Sequence, residues 1–111
     1  MNSFRTYELA RTNNFRTYEL AVQFYRLVSK FKVPCHLKGQ LQRAASSVAL
    51  NLAEGSAKPS PKDRARFYRI ALGSFRESVA VLQLLEIHNA ELSEITDKLA
   101  RHLYKLCKAL E

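Results

Sequence analysis

The side chains best suited to chemistry in this sequence are cations that alternate with aromatic rings, in residues 24–32 and again in residues 64–69. Arginine and lysine neutralise phosphates, which gives affinity for a polynucleotide without reading its bases and makes that affinity fall with salt. The pattern therefore predicts a nucleic-acid-binding surface. The residues assigned to this surface are Arg26, Lys30, Lys32, Lys38, Arg43, Lys62, Arg64, Arg66 and Arg69.

The charge distribution supports the same interpretation. The chain has 18 Lys and Arg against 10 Asp and Glu, a formal net charge of +8, and no acid lies between Glu19 and Glu54. Such asymmetry is typical of a surface that faces a polyanion. Net charge also keeps a small protein soluble. The alternative is therefore a structural or protein-binding scaffold with no nucleic-acid role.

The sequence offers no recognisable catalytic set. An enzyme would require a nucleophile with a base, a carboxylate pair in a cleft, or metal ligands at suitable spacing. The three histidines and three glycines are scattered, and Cys35 and Cys107 are too far apart to form a metal or redox motif. We expect reduced thiols, no cofactor, no metal and no enzymatic activity.

No segment approaches the roughly 20 consecutive apolar residues of a membrane span, and no secretory signal pattern opens the sequence. We therefore expect a cytoplasmic protein without a membrane partner.

Helices must position these side chains, because apolar residues recur at three- and four-residue spacing and no strand pattern competes. The clearest example is the stretch from Gln40 to Gly55, with a stripe at Leu41, Val48 and Leu52. Its many Ala and Ser residues let a neighbouring helix approach closely. We expect Gly55 to end this helix in the left-handed conformation.

Three further helices follow from the same spacing. The first runs from about Thr17 to Phe31 and is stopped before Pro34. The third begins with Ser60 as N-cap and Pro61 at the first helical position, and continues to about His88. The fourth is predicted to be capped by Ser93. Four antiparallel helices with short loops predict an all-α, up-and-down four-helix bundle.

A repeat occupies the beginning of the chain, where FRTYELA at residues 4–10 recurs at residues 15–21, eleven residues later. Only the second copy leads into a longer apolar pattern. We therefore divide the chain into an N-terminal extension, residues 1–14, and a four-helix bundle, residues 15–111.

Two polar residues interrupt the apolar pattern of the second helix. Asn51 lies on the stripe, where an unsatisfied amide would cost about 1–3 kcal/mol. Glu54 lies in the last turn, where the helix dipole disfavours an anion. A contact with the neighbouring helix, a subunit interface or a ligand site would each compensate them, and the sequence does not distinguish these alternatives.

An antiparallel hairpin with its turn near Lys58 fixes which residues of the second and third helices face each other. It places Glu77 beside Arg43 or Gln40, Asn51 near residues 65–68, and a close crossing at Gly73 and Ser74. The residues expected to make helix or subunit contacts are Asn51, Glu54, Gly55, Ser74 and Glu77.

The chain resembles a known family in the combination Asn-x-x-Glu-Gly and Ala-x-Gly-Ser-x-x-Glu. The matching residues are Gln40, Arg43, Ala44, Ala45, Ser47, Asn51, Ala53, Glu54, Gly55, Phe67, Ile70, Ala71, Gly73, Ser74 and Glu77. The family comprises the bacterial four-helix-bundle proteins encoded in intervening sequences of 23S ribosomal RNA genes, and the resemblance runs from about Phe15 to the C-terminus. The link after Pro34 and the N-terminal repeat depart from the family pattern.

The resemblance implies an up-and-down bundle that assembles into a homopentameric ring with a basic surface. Relatives similar in fold serve diversity-generating retroelements, where the ring binds nucleic acid and a reverse transcriptase. This chain is therefore expected to bind itself, RNA or DNA, and a protein partner.

Overall fold

The computed structural model describes the backbone of residues 2–110 and the side chains of residues 15–110. Within them the chain forms four α-helices and no strand: α1 (Asn2–Val28), α2 (Cys35–Ser56), α3 (Pro61–Leu84) and α4 (Ala90–Ala109). α1 packs against α2 and α4, and α3 packs against the same two helices. Short links make neighbouring helices antiparallel, so the predicted all-α four-helix bundle is confirmed.

Large apolar side chains fill the centre of the bundle. The most completely buried of them include Phe24 from α1, Leu41 and Leu52 from α2, and Leu99 and Leu103 from α4. Each buried side chain of this size stabilises the fold by about 1.5–3 kcal/mol. The α3 side chain Phe75 contributes an aromatic contact, because its ring centre lies 5.5 Å from that of Phe24.

The prediction for the end of α2 is wrong. α2 continues through Gly55 to Ser56, and no glycine has a positive φ among the residues with described backbone. A glycine is required at position 55 because there is no room for a side chain, and not because the backbone turns there. A Cβ at this position would lie 2.8 Å from Tyr68 Cε1 and 2.9 Å from Phe67 Cβ, so only glycine lets α3 approach this closely.

The start of α3 agrees with the prediction, since Ser60 Oγ accepts a hydrogen bond from the Asp63 amide at 3.4 Å and Pro61 opens the helix. α3 ends at Leu84, before the expected His88, and Glu86 follows it with a left-handed φ of 54°.

The predicted cap of α4 is wrong. Asn89 caps the helix, because its side-chain oxygen accepts a hydrogen bond from the Leu92 amide at 2.9 Å. Ser93 already lies in the first turn, where its amide donates to the Asn89 carbonyl at 2.9 Å.

α1 is longer than predicted, because its backbone is helical from Asn2 and ends at Val28 instead of Phe31. The side chains of the first repeat copy lie outside the described residues. In the second copy Thr17 and Ala21 are buried, so this copy belongs to the bundle. The division of the chain at residue 14 stays a prediction.

Candidate nucleic-acid interface

The structure divides the predicted cations between two ends of a molecule 49 Å long and 23 Å wide. The antiparallel topology places the α1–α2 and α3–α4 links at one end, and the α2–α3 turn with the C-terminus of α4 at the other. The run of cations before Glu54 belongs mostly to the first end, and the cations of α3 belong to the second. The nine residues therefore do not form one continuous surface.

Four exposed cations surround the α1–α2 link, and we call them the basic corner: Arg26, Lys30, Lys32 and Lys38. None of them forms an ion pair within the part of the chain whose side chains are described. Arg43 is also exposed but lies two turns farther along α2. Its predicted partner Glu77 accepts a hydrogen bond from Gln40 Nε2 at 3.3 Å, which confirms the Gln40 alternative.

Three exposed cations of α3 share one stripe, because Lys62, Arg66 and Arg69 follow the four- and three-residue spacing of one helix face. Arg64 is only half exposed and has a different environment. Its Nη1 donates to the carbonyl oxygens of Lys58 at 2.9 Å and Pro59 at 3.0 Å. The Arg64 guanidinium therefore holds the α2–α3 turn together.

Two cations beside this turn lie over the ring of Phe67. The Arg66 guanidinium carbon lies 4.5 Å from the centre of its ring, and Lys58 Nζ lies 5.2 Å from it. Lys58 Nζ also lies 3.5 Å from Glu54 Oε2. This pair supplies the compensation that Glu54 requires at the end of α2, because it places a cation next to the disfavoured carboxylate.

A second cationic stripe comes from α4 and consists of Arg101, Lys105 and Lys108, all exposed. Because α4 runs antiparallel to α3, the C-terminal half of α4 lies beside the N-terminal half of α3. Farther toward the C-terminus of α3, Arg76 Nη2 lies 3.4 Å from the hydroxyl oxygen of Tyr104 on α4. Both stripes lie at the same end of the bundle, and we call them together the turn-end surface: Lys62, Arg66, Arg69, Arg101, Lys105 and Lys108.

The α4 residues of this surface were missed at the sequence level. The signal was present, because bundle topology and the spacing of Arg101, Lys105 and Lys108 are both readable from the sequence.

His102 lies beside cations of both α4 and α1. Burial lowers the pKa of His102, and the charges of Lys105, Arg101 and Arg16 lower that pKa further. Its Nδ1 lies 3.5 Å from Thr17 Oγ1 of α1. Cations from α1 and α4 therefore act on one ring, as expected where the local potential is positive.

Asn51 is satisfied inside the chain. Its Nδ2 donates to both the carbonyl oxygen and Oγ of Ser47, each at 2.9 Å. Ser74 Oγ donates to the same Ser47 Oγ at 2.8 Å, and Ser78 Oγ donates to the Ser74 carbonyl at 2.9 Å. The Asn51 amide, which was predicted to lie near residues 65–68, thus donates within its own helix. Ser47 links it to Ser74 of α3.

The close crossing predicted at Gly73 and Ser74 involves only Ser74. A Cβ on Gly73 would meet no atom within 4 Å, because this glycine is on the exposed side of α3.

In residues 15–110 no group of three or more His, Cys, Asp or Glu side chains is arranged to hold a metal ion. None of the described helices has the length and hydropathy needed to cross a membrane.

Comparison with protein families matches residues 15–111 to the family described as 23S rRNA-intervening sequence protein. A comparison with curated proteins found no match. The match covers the whole bundle and begins at Phe15, where the resemblance begins. The chain therefore belongs to the 23S rRNA-intervening sequence protein family.

Proposed function

We propose that this protein is a non-enzymatic, oligomeric nucleic-acid-binding protein that favours RNA and contacts phosphates through the turn-end surface. The observation that carries the proposal is the pair of exposed cationic stripes on neighbouring helices. Lys62, Arg66 and Arg69 follow one stripe, and the α4 cations follow the other. Two rows of cations at one end of the bundle attract a phosphate chain more strongly than isolated charges do.

None of the cations of this surface pairs with a carboxylate among the described side chains. Both ion pairs formed between described side chains, Lys58 with Glu54 and Lys98 with Glu94, lie outside it. Each phosphate contact with a single strand contributes about −0.7 to the slope of log affinity against log salt. Six cations in full contact would therefore give a slope of about −4 per copy.

Self-association strengthens such binding. The family resemblance implies a homopentameric ring, and several copies on one RNA raise the overall affinity through effective concentration. RNA is proposed before DNA because the family's description names 23S rRNA. A protein partner and a cytoplasmic location belong to the same proposal.

The test is binding of the full chain to a generic single-stranded RNA, measured by fluorescence anisotropy over a salt series. The double variant Arg69→Gln, Lys105→Gln removes two cations from the turn-end surface. The matched control, Arg43→Gln, Lys98→Gln, removes two exposed cations elsewhere, so the net charge is the same.

We expect the turn-end variant to bind more weakly than the control and to show a shallower salt slope, by about 1.4 for two lost contacts. Equal weakening of the two variants would contradict the placement of the surface. If the native protein does not bind RNA at low salt, the nucleic-acid role is rejected, and the alternative of a structural or protein-binding scaffold is favoured.

A further inference from the structure

An exposed aromatic ring lies beside the α4 cations of the turn-end surface. The side chain of Tyr104 is 59% exposed, although a ring of this size gains stability when it is buried. Arg101 is three residues before it, Lys105 is the next residue, and Lys108 is four residues after it. Residues three and four positions apart are neighbours on the surface of a helix. The ring therefore lies between Arg101 and Lys108.

A contact from α3 holds this ring in place. Arg76 Nη2 lies 3.4 Å from the Tyr104 hydroxyl oxygen, and the Arg76 guanidinium carbon lies 5.8 Å from the centre of the ring. A ring that is already held by a neighbouring helix loses less conformational entropy when a ligand binds it. Tyr104 is thus a held, exposed ring, and cations of both α3 and α4 surround it.

The ring and its neighbouring cations suit the two parts of a nucleotide. An unpaired base stacks on an aromatic ring or on an arginine guanidinium, and phosphates bind lysine and arginine. Arg101 and Lys108 are about 10 Å apart along the helix axis at 1.5 Å per residue, so both can reach phosphates beside a base stacked on Tyr104. In a duplex the bases are already stacked on one another. The arrangement therefore suits a single strand.

The alternative is that Tyr104 only links α4 to α3. That structural role depends on the hydroxyl group, because the hydroxyl oxygen is the atom that accepts from Arg76. Stacking depends on the aromatic ring and not on the hydroxyl. The two roles therefore predict different results for a phenylalanine at this position.

We propose that Tyr104 is a stacking platform for an unpaired base of a single-stranded nucleic acid whose adjacent phosphates bind Arg101 and Lys108. This inference rests on the proposed function and adds the class of ligand, a single strand instead of a duplex. Because every base has a flat aromatic face, stacking of this kind tolerates many sequences.

The test compares the affinities of the full chain for three ligands: single-stranded RNA, an RNA duplex, and inorganic polyphosphate, which carries the charge but no base. Tyr104→Leu removes the ring, and Tyr104→Phe removes only the hydroxyl. The matched control is Tyr18→Leu on α1. The Tyr18 side chain is 37% exposed, and no Lys or Arg lies three or four positions from it. Circular dichroism checks that every variant is helical.

We expect Tyr104→Leu to bind single-stranded RNA about 5- to 150-fold more weakly than the native chain, the range that the loss of one stacked base gives. Its affinities for the duplex and for polyphosphate should stay unchanged, because neither offers an unpaired base. Tyr104→Phe and Tyr18→Leu should bind all three ligands as the native chain does.

A tryptophan at the same position gives an independent measurement. The native chain contains no Trp, so the fluorescence of the Tyr104→Trp variant comes from this one ring. We expect saturating single-stranded RNA to quench the emission through stacking, and saturating polyphosphate to leave it unquenched. Equal emission with the two ligands would overturn the inference.

Two further results would overturn the inference and leave the proposed function standing. One is RNA binding by Tyr104→Leu with native affinity. The other is a Tyr104→Phe variant that binds as weakly as Tyr104→Leu, which would assign the effect to the hydroxyl contact with Arg76. A native chain that binds none of the three ligands would instead reject the proposed function, and this inference with it.

Discussion

Gly55 of α2 and Tyr68 of α3 are in contact so close that a Cβ on the glycine would lie 2.8 Å from the ring carbon Cε1. The backbone of Gly55 is helical and its φ is negative. The glycine is therefore required by the distance between the two helices and not by a turn.

The Gly55→Ala variant should be destabilised by about 1–3 kcal/mol, because the added methyl group overpacks the crossing at Tyr68 and Phe67. Urea denaturation monitored by circular dichroism measures the change. Gly73→Ala is the matched control, since a Cβ there meets nothing within 4 Å. Its expected effect has the opposite sign, a stabilisation of about 0.5–1 kcal/mol from helix propensity. Two variants of equal stability would contradict the role of Gly55.

Ser47 is the shared acceptor of the polar network between α2 and α3. Ser47→Ala removes the oxygen that accepts from Asn51 and from Ser74, so we expect a loss of about 1–3 kcal/mol. Ser46→Ala is the control on the same helix, because its Oγ donates only to the Arg43 carbonyl within α2. A cost at Ser46 as large as at Ser47 would show that helix propensity, and not the network, determines the result.

Asn89→Ala should destabilise the protein by about 1 kcal/mol, because the Leu92 amide loses its side-chain acceptor at the start of α4. Ser93→Ala should change stability by less than about 0.5 kcal/mol, as expected for an exposed residue inside a helix. Thermal unfolding of the two variants compares these effects directly. A larger loss of stability in Ser93→Ala than in Asn89→Ala would indicate that Ser93 is the N-cap.

His102 should make the fold weaker in acid. Burial and the charges of Lys105, Arg101 and Arg16 lower its pKa in the folded state, whereas in the unfolded chain the pKa is near 6.5. As pH falls through 6.5 the unfolded chain binds a proton first, so the free energy of unfolding decreases until pH drops below the folded-state pKa. Above pH 6.5 this histidine has no effect.

His102→Gln should remove this part of the pH dependence, measured as unfolding free energy between pH 5 and 8. Lys105→Gln should reduce it, because one of the charges that lower the pKa is gone. NMR titration of the ring gives the pKa itself. A folded-state pKa of about 6.5 would abolish the effect, and a higher one would reverse its sign.

Local chemistry made much of the fold readable from the sequence. Pro61 marks the start of α3 because proline fixes φ and lacks an amide hydrogen. The Gln40–Glu77 contact followed from counting residues outward from the α2–α3 turn. Asn89 and Ser93 are equally good caps by residue type, and the loop geometry after Leu84 decided between them.

The sequence by itself determined that this chain forms four amphipathic helices with a large excess of positive charge, because helix periodicity and composition are local properties. Only the tertiary structure decided which charges meet. It placed Lys30 and Lys62 at opposite ends of the bundle and brought Arg76 of α3 to Tyr104 of α4. It also showed Gly55 to be a packing residue. Spatial proximity of residues far apart in the chain depends on helix direction and interhelical distance, which side-chain packing sets and no local pattern contains.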